Sequence, residues 1–265
     1  MKNITLCFSF FLTLFSYAQV SINKAQDAIV EETFKNCVDK HSYMYDMAEY
    51  QNCLDEGLKK DSAIAYLWQQ KAMPYFKCKK HEVGMPYLDK AVLYDKERWL
   101  SYRGFIKCIF SHNYKEAIAD FEECIRLYGN SYVMDHTFSF YMAISYLQLN
   151  EYGKAEKLLD DYVNDIYKNR SKLEHPTAYF YQGIAKYELQ KLDEAIAIFD
   201  KALKIYPEFS DAKYYKAICW LKQAKPKEQI KALYDVAQED AKKGYSINED
   251  NTVYEMYPYQ VRFSK

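Results

Sequence analysis

The stretch "QGIAKYELQKLDEAIAIFDKALKIYP", from Gln182 to Pro207, decides the fold. Its small residues and its one phenylalanine follow a fixed spacing; these positions are Gly183, Ala195, Phe199, Ala202 and the closing Pro207. A small residue on one helix lets a second helix approach closely, a phenylalanine fills the seam between them, and proline ends a helix. The spacing therefore predicts two antiparallel helices joined by the turn "LQKLDE".

The same spacing recurs along the chain. The other copies are marked by Ala72, Gly84, Leu88 and Ala91; by Ala117 and Phe121; by Ala143, Ala155, Leu159 and Tyr162; and by Ala217 and Leu233. The last pair lies 34 residues after Gly183 and Phe199. Helix–turn–helix units with this period are typical of tetratricopeptide arrays. Over residues 31–247, the chain therefore resembles the tetratricopeptide repeat (TPR) family.

The resemblance implies an all-α fold, a right-handed helix–turn–helix repeat solenoid in which neighbouring units bury a shared core. Five or six repeats are expected, because Val38 and Tyr50 occupy positions of the first repeat that are normally small. The predicted repeats span residues 31–64, 65–98, 99–132, 136–169, 176–209 and 210–247. Residues 19–30 are predicted to be a lead-in, and residues 248–265 an apolar capping tail.

The N-terminus has the parts of a secretory signal peptide. One lysine precedes an apolar run from Ile4 to Phe15, and small residues at Ser16 and Ala18 suit cleavage after Ala18. The run is shorter than the ~20 residues that a spanning helix needs. Residues 1–18 are therefore predicted to be a signal peptide, with an uncleaved anchor as the alternative. We expect an exported protein without a transmembrane span, soluble after cleavage and either periplasmic, secreted or associated with the cell surface.

Composition and motifs argue against several functions. With 36 basic and 37 acidic residues, the charge gives no argument for nucleic acid. The sequence has no glycine-rich phosphate loop, no G-x-S-x-G and no H-E-x-x-H. Cys78-x-x-His81 and Cys108-x-x-x-His112 offer two metal ligands each, whereas a structural zinc site needs four. We therefore predict no enzymatic activity, no cofactor and no metal site.

One pair of cysteines is placed for a disulfide. Cys37 and Cys53 lie roughly level across the first predicted hairpin, so a bridge between them is one expectation. Cys108 and Cys124 have the same separation but are placed unevenly about their turn, which puts their Cα atoms beyond the ~7 Å that a disulfide allows. The alternative for each cysteine is the role of a small buried hydrophobic residue.

The first helices of such repeats line a concave groove that binds extended peptides. The resemblance implies that repeat positions 2, 5, 9, 12 and 13 face this groove. The residues predicted to bind a partner there are Tyr102, Phe140, Phe180, Tyr187 and Tyr214. If position 5 contacts the ligand, serine at Phe140, Phe180 and Tyr214 should weaken binding and leave helicity intact. The alternative is that these side chains pack between helices.

The sequence thus predicts a non-enzymatic scaffold that binds a protein or peptide partner in the cell envelope. Groove positions 5 and 9 lack the lysine and asparagine of chaperone-binding TPR proteins, so no chaperone tail is expected. The C-terminal segment is too apolar for a disordered end, and its apolar residues are Tyr254, Met256, Tyr257, Tyr259 and Phe263. We predict that it caps repeat six. The alternative function is structural, with the tail joining copies into a homo-oligomer or a larger envelope complex.

Overall fold

A computed structural model describes residues 24–168 and 175–263 of the chain. These residues contain 12 α-helices, a two-stranded β-hairpin and two 3₁₀ turns, Val38–Lys40 and Asp250–Val253. The predicted signal peptide, residues 1–18, lies outside the described residues. The chain divides into two compact units, Met1–Trp99 and Leu100–Lys265. Within the described ranges, no helix combines the length and the apolar character that crossing a membrane requires.

Unit 1 contains four helices and the beginning of a fifth. They are α1 (24–36), α2 (Met47–Lys60), α3 (Ala65–Lys77), α4 (His81–Tyr94) and α5 (Lys96–Ile109), which continues into unit 2. Leu54, Leu67 and Leu88 are fully buried between these helices. Burial of each of these leucine side chains contributes about 1.5–3 kcal/mol.

The predicted boundary between lead-in and first repeat is wrong. Helix α1 runs from residue 24 to residue 36 and therefore passes through residue 31 without a break. The prediction applied the 34-residue period, but residues 37–46 form a long connection before α2 that includes a 3₁₀ turn. This longer connection shifts α1 toward the N-terminus, so the first helix–turn–helix pair begins inside the predicted lead-in.

Unit 2 contains the remaining helices. They are the rest of α5, α6 (Tyr114–Tyr128), α7 (Phe138–Gln148), α8 (Tyr152–Lys168), α9 (Pro176–Glu188), α10 (Leu192–Ile205), α11 (Ser210–Lys222) and α12 (Lys227–Lys242). Between α6 and α7, strand β1 (Tyr132–Val133) pairs antiparallel with β2 (His136–Thr137). The hairpin leads directly into α7 and thereby places His136 at the start of that helix. Apart from these short strands, the predicted all-α, helix–turn–helix repeat fold is confirmed.

One backbone feature repeats at the turn inside successive helix pairs. A single left-handed residue with φ between +52° and +60° follows the first helix; these residues are Lys79, His112, Asn150, Gln190 and Ala224. A left-handed residue after the last helical turn lets the chain reverse while its amide still bonds back to the helix. The intervals between them are 33, 38, 40 and 34 residues. The β-hairpin falls within the 38-residue interval, so insertions lengthen the links between pairs and leave the turn unchanged.

Gly183 is a point of close approach between α9 and α10. A Cβ atom there would lie 2.5 Å from Cε1 and 2.7 Å from Cδ1 of Phe199, a fully buried ring. We expect Gly183→Ala to lower the free energy of unfolding by about 1–3 kcal/mol, the usual cost of overpacking, as measured by urea denaturation. Gly153→Ala is the matched control, because its Cβ would meet nothing within 4 Å. Equal stability of the two variants would contradict the close approach at Gly183.

Candidate partner-binding groove and its C-terminal tail

The predicted groove residues of unit 2 divide into buried and accessible side chains. We call the side of α7, α9 and α11 that the resemblance predicts to face a ligand the groove face. Phe140 and Phe180, predicted to bind a partner, are both 0% exposed. The ring centroid of Phe140 lies 3.8 Å from that of His136, and the Phe180 centroid lies 5.2 Å from that of Phe209. This part of the prediction is therefore wrong, since both rings pack within the core.

The other three predicted residues keep part of their surface exposed. Tyr102, Tyr187 and Tyr214 are half-buried. The Tyr187 ring lies 4.4 Å from Nζ of Lys222, close enough for a cation–π contact. The Tyr214 ring lies 5.7 Å from Phe263, centroid to centroid. These three side chains remain candidates for contact with a partner.

The segment from Ser246 to Phe263, which we call the tail, covers the groove face. It was predicted to cap repeat six. It does contact α11, but it also crosses α9 and reaches the start of α7. The prediction of a cap is therefore too narrow, because the tail lies across the first helices of three predicted repeats.

Asp211, at position 2 of the sixth predicted repeat, anchors both ends of the tail. Its carboxylate accepts hydrogen bonds from Ser246 Oγ at 2.8 Å, the Ile247 amide at 3.0 Å and the Val261 amide at 2.6 Å. Burial raises the pKa of Asp211 above its ordinary value, and the three hydrogen bonds offset part of this rise. A fully buried carboxylate thus receives its donors from the tail.

Tyrosines hold the middle of the tail to α9. The buried Tyr181 hydroxyl donates to the Pro258 carbonyl oxygen at 2.8 Å, and the Tyr259 hydroxyl donates to Glu188 at 3.0 Å. Tyr257 is only 2% exposed. The resemblance assigns repeat positions 2, 5 and 13 to ligand contact. Asp211, Tyr214 and Glu188 lie at these three positions, in that order. The tail therefore contacts the groove face at positions 2, 5 and 13.

Two histidines and a glutamate meet where the tail passes α7 and α9. His136 Nε2 lies 3.1 Å from Glu249 Oε1, and His175 Nδ1 lies 3.7 Å from the same oxygen. His136 Nδ1 is hydrogen-bonded to the Tyr162 hydroxyl at 2.8 Å. The side chains of His136 and Glu249 are 0% and 2% exposed, and that of His175 is 32% exposed. The tail thus brings a carboxylate to a pair of imidazoles.

Burial and charge oppose each other at this cluster. Burial alone would raise the pKa of Glu249, but the hydrogen bond from His136 and the two nearby imidazoles lower it below its ordinary value. Burial lowers the pKa of His175, and the neighbouring Glu249 carboxylate only partly counteracts this. Glu249 is therefore held as a carboxylate, and His175 is held in its neutral form near pH 7.

Sequence reasoning missed this cluster because it searched for ligands close together in the chain. His136 and Glu249 are separated by 113 residues. A signal was nevertheless present: His136 is the first residue of the fourth predicted repeat, and His175 immediately precedes the fifth. Equivalent positions of stacked repeats lie side by side. The near-equivalent repeat positions, rather than a short motif, were the feature to look for.

Unit 1 has a cleft of its own. It has a volume of about 730 Å³ and lies among α1, the α2–α3 connection and the region where α4 ends and α5 begins. Its aromatic side chains are Tyr66, Tyr94 and Trp99, and the Arg98 guanidinium lies 5.6 Å from the Tyr66 ring. Asp27, Asp95 and Glu97 also line the cleft. Aromatic and charged groups of this kind can bind a polar peptide segment.

The predicted cysteine pair is joined in the structure. Cys37 and Cys53 form a disulfide with a Cα–Cα distance of 5.5 Å, which ties the end of α1 to α2. Cys108, Cys124 and Cys219 are buried thiols, and Cys78 is an exposed one. Burial raises the pKa of Cys108 to about 12, so this thiol is inert near neutral pH. The disulfide is a bond that an oxidising compartment preserves.

Comparison with known proteins identifies similar repeats and similar folds. The family model of the tetratricopeptide repeat matches residues 165–208 and 180–245. No curated protein shows significant sequence similarity to the chain. Among solved structures, PilW, a widely conserved type IV pilus biogenesis factor, is 17% identical with a TM-score of 0.61, covering 86% of this chain and 98% of that chain.

Two further structures share the fold. A tetratricopeptide repeat protein from Parabacteroides merdae is 16% identical with a TM-score of 0.60, covering 84% of this chain and 80% of that chain. YrrB, described as a TPR protein with an unusual peptide-binding site, is 19% identical with a TM-score of 0.50, covering 71% of this chain and 91% of that chain. At these identities the similarity is one of fold.

Proposed function

Because the chain is a tetratricopeptide repeat protein, we propose that it is a non-enzymatic scaffold that binds a segment of a partner protein on the groove face of unit 2. Its own tail occupies that face in the absence of a partner. The fold supports a protein-binding role, since TPR proteins generally present helical surfaces to peptides. The peptide-binding site of YrrB, a similar fold, is consistent with this proposal.

We place this activity in the cell envelope. The predicted signal peptide, the Cys37–Cys53 disulfide and the fold shared with a pilus biogenesis factor support this location. Oxidising compartments outside the cytosol preserve disulfides. The partner is therefore proposed to be an exported protein or peptide of the envelope.

The contacts of the tail are the observation that carries the proposal. The tail makes three hydrogen bonds to Asp211, accepts one from Tyr181 and packs the Phe263 ring at right angles to the Tyr214 ring of α11. A bound peptide in a groove is held by the same kinds of contact, backbone hydrogen bonds together with aromatic anchors. The groove face holds the tail of its own chain, and the proposal is that a partner segment replaces the tail.

Competition between tail and partner makes a quantitative prediction for Val261→Pro. Proline has no amide hydrogen, so this change removes one bond to Asp211 without altering the groove face. A hydrogen bond to a charged group contributes about 2 kcal/mol, which corresponds to about 30-fold more of the tail-open state. A partner that binds only this state should bind the variant up to 30-fold more tightly.

The measurement combines hydrogen exchange with partner capture. Exchange of the Ile247 amide, which also bonds to Asp211, reports tail opening. The exposed Arg262 provides the control variant Arg262→Ala. An envelope protein captured better by Val261→Pro than by either the wild type or the control supports the groove. A partner captured equally by all three, despite faster exchange of Ile247, contradicts competition and moves the site to the cleft of unit 1.

Self-assembly is the second candidate function, and the position of the tail favours it. A segment that binds the groove face of its own chain can bind the same face of a second copy, which joins two chains by exchange of identical elements. Sedimentation of the purified protein over a range of concentrations tests this. A mass that rises with concentration, and that Val261→Pro changes, supports exchange of tails.

A further inference from the structure

The cluster of His136, His175 and Glu249 has the spacing of a metal site. The candidate ligand atoms of the three side chains all lie within 4.8 Å of one another. Ligands about 2.0–2.1 Å from a tetrahedral Zn²⁺ are separated from each other by about 3.3 Å. The two distances to Glu249 Oε1, 3.1 Å from His136 and 3.7 Å from His175, lie on either side of this value. Small side-chain movements would therefore complete the geometry.

One polar atom of this cluster is left without a partner. His175 Nδ1 is buried, and no hydrogen-bond donor or acceptor within the described residues satisfies it. Glu249 Oε1 lies 3.7 Å from it, beyond hydrogen-bond distance. Buried polar atoms are nearly always satisfied, and an orphan points to a missing water or ion. A cation between His175 and Glu249 would satisfy the imidazole nitrogen and neutralise the carboxylate together.

The surroundings of His136 suit a metal ligand. Its Nδ1 is hydrogen-bonded to the Tyr162 hydroxyl, and the ring lies 3.8 Å from the Phe140 ring, centroid to centroid. A ligating histidine almost always donates its second nitrogen proton to an oxygen, which fixes the ring and directs the free lone pair at the metal. A tyrosine hydroxyl can accept that hydrogen bond. Tyr162 therefore serves as the outer partner of a ligand at His136.

We propose that His136, His175 and Glu249 bind one divalent transition-metal ion of the Zn²⁺ class, which fastens the tail to α7 and α9. Two imidazole nitrogens and one carboxylate oxygen favour such ions over Mg²⁺ and Ca²⁺, which prefer oxygen ligands alone. Water can complete the coordination, because the His175 side chain is 32% exposed. Only Glu249 comes from the tail, so the ion links two parts of unit 2 that separate when the tail opens.

This proposal goes beyond the proposed function and does not depend on it, because metal binding and tail opening are measured without any partner. Without a metal, the hydrogen bond between His136 and Glu249 would be the link between this cluster and the tail. The two possibilities differ in one respect. A metal makes the stability of the tail depend on Zn²⁺ concentration, whereas a hydrogen bond does not.

The test is a calorimetric titration of the full chain with ZnCl₂ after treatment with a chelator. We expect one Zn²⁺ per chain. Glu249→Gln keeps the shape of the side chain but removes the charged ligand, and His175→Ala removes a partly exposed ligand. Loss of an outer partner weakens metal binding by about 10–100-fold, and we expect Tyr162→Phe to have an effect of this size. Glu249→Gln and His175→Ala remove ligands and should each weaken Zn²⁺ binding by more than this. His112→Asn is the control, since His112 is exposed and asparagine tolerates its φ of +57°.

Hydrogen exchange tests the fastening of the tail. If the open state lacks Glu249 and binds Zn²⁺ weakly, a concentration 100 times the Kd should slow exchange of the Ile247 and Val261 amides about 100-fold. Glu249→Gln should show no slowing. Absence of Zn²⁺ binding, or binding that survives both ligand substitutions, would overturn the metal site. Specific binding that leaves both amides unchanged would overturn the fastening of the tail.

Discussion

A chain with serine at both Phe140 and Phe180 is expected to lose much of the helical structure of unit 2. Both rings are 0% exposed and pack on the buried ring of Tyr181, with centroid distances of 5.7 Å and 5.2 Å. Truncating one buried phenylalanine costs about 3–5 kcal/mol, and serine adds a hydroxyl without a partner. The free energy of unfolding of a domain is about 5–15 kcal/mol, so the two substitutions together remove a large part of the stability of unit 2. Far-UV circular dichroism and thermal unfolding measure the loss.

The matched control uses the predicted groove residues that remain accessible. Tyr187 and Tyr214 are half-buried, so Tyr187→Ser with Tyr214→Ser should keep wild-type helicity and reduce Tm much less. The comparison separates a core role from a ligand-binding role. If the Phe140 and Phe180 double variant kept the helicity and Tm of the wild type, the two rings could not belong to the core described above.

The second large effect is expected for Tyr257→Ala. Tyr257 is the most deeply buried aromatic side chain of the tail, at 2% exposed. Removing a buried aromatic ring costs about 3 kcal/mol or more, which corresponds to a rise of more than about 100-fold in the tail-open state. The helices do not contain Tyr257, so helicity should be retained. Faster exchange of the Ile247 and Val261 amides would report the opening.

Val253→Ala provides the control for Tyr257→Ala in the same segment. Val253 is 80% exposed, and substitutions at such positions usually change stability by less than about 0.5 kcal/mol. Its amide exchange should match that of the wild type. If Tyr257→Ala exchanged no faster than Val253→Ala, the tail would be held by its hydrogen bonds alone and not by the buried ring.

The repeats were predictable because their signals are local. A small residue such as Gly183 must face a large one such as Phe199, and both lie within one helix pair. This pairing of a small and a large residue lies within about 30 residues of sequence and recurs along the chain. The first pair departed from the rule because its connecting segment is longer, and a fixed period could not show where the extra residues belong.

The path of the tail was not predictable in the same way. The resemblance assigns position 5 of a repeat to ligand contact. In the structure, Phe140 at this position is buried against His136, beneath a face that the tail covers. The decisive partners, Asp211 with Val261 and His136 with Glu249, are 50 and 113 residues apart. Contacts of this kind depend on the completed fold, and no local pattern records them.

The long separations across the groove face have a consequence for the order of folding. Contacts within a helix pair close short loops, whereas the tail must close loops of 50, 77 and 113 residues. Closing longer loops costs more entropy, and distant contacts form more slowly. Docking of the tail should therefore follow formation of the helix pairs. Until it docks, the apolar surface around Tyr181 is open to neighbouring chains, so refolding at high concentration should favour intertwined dimers over monomers.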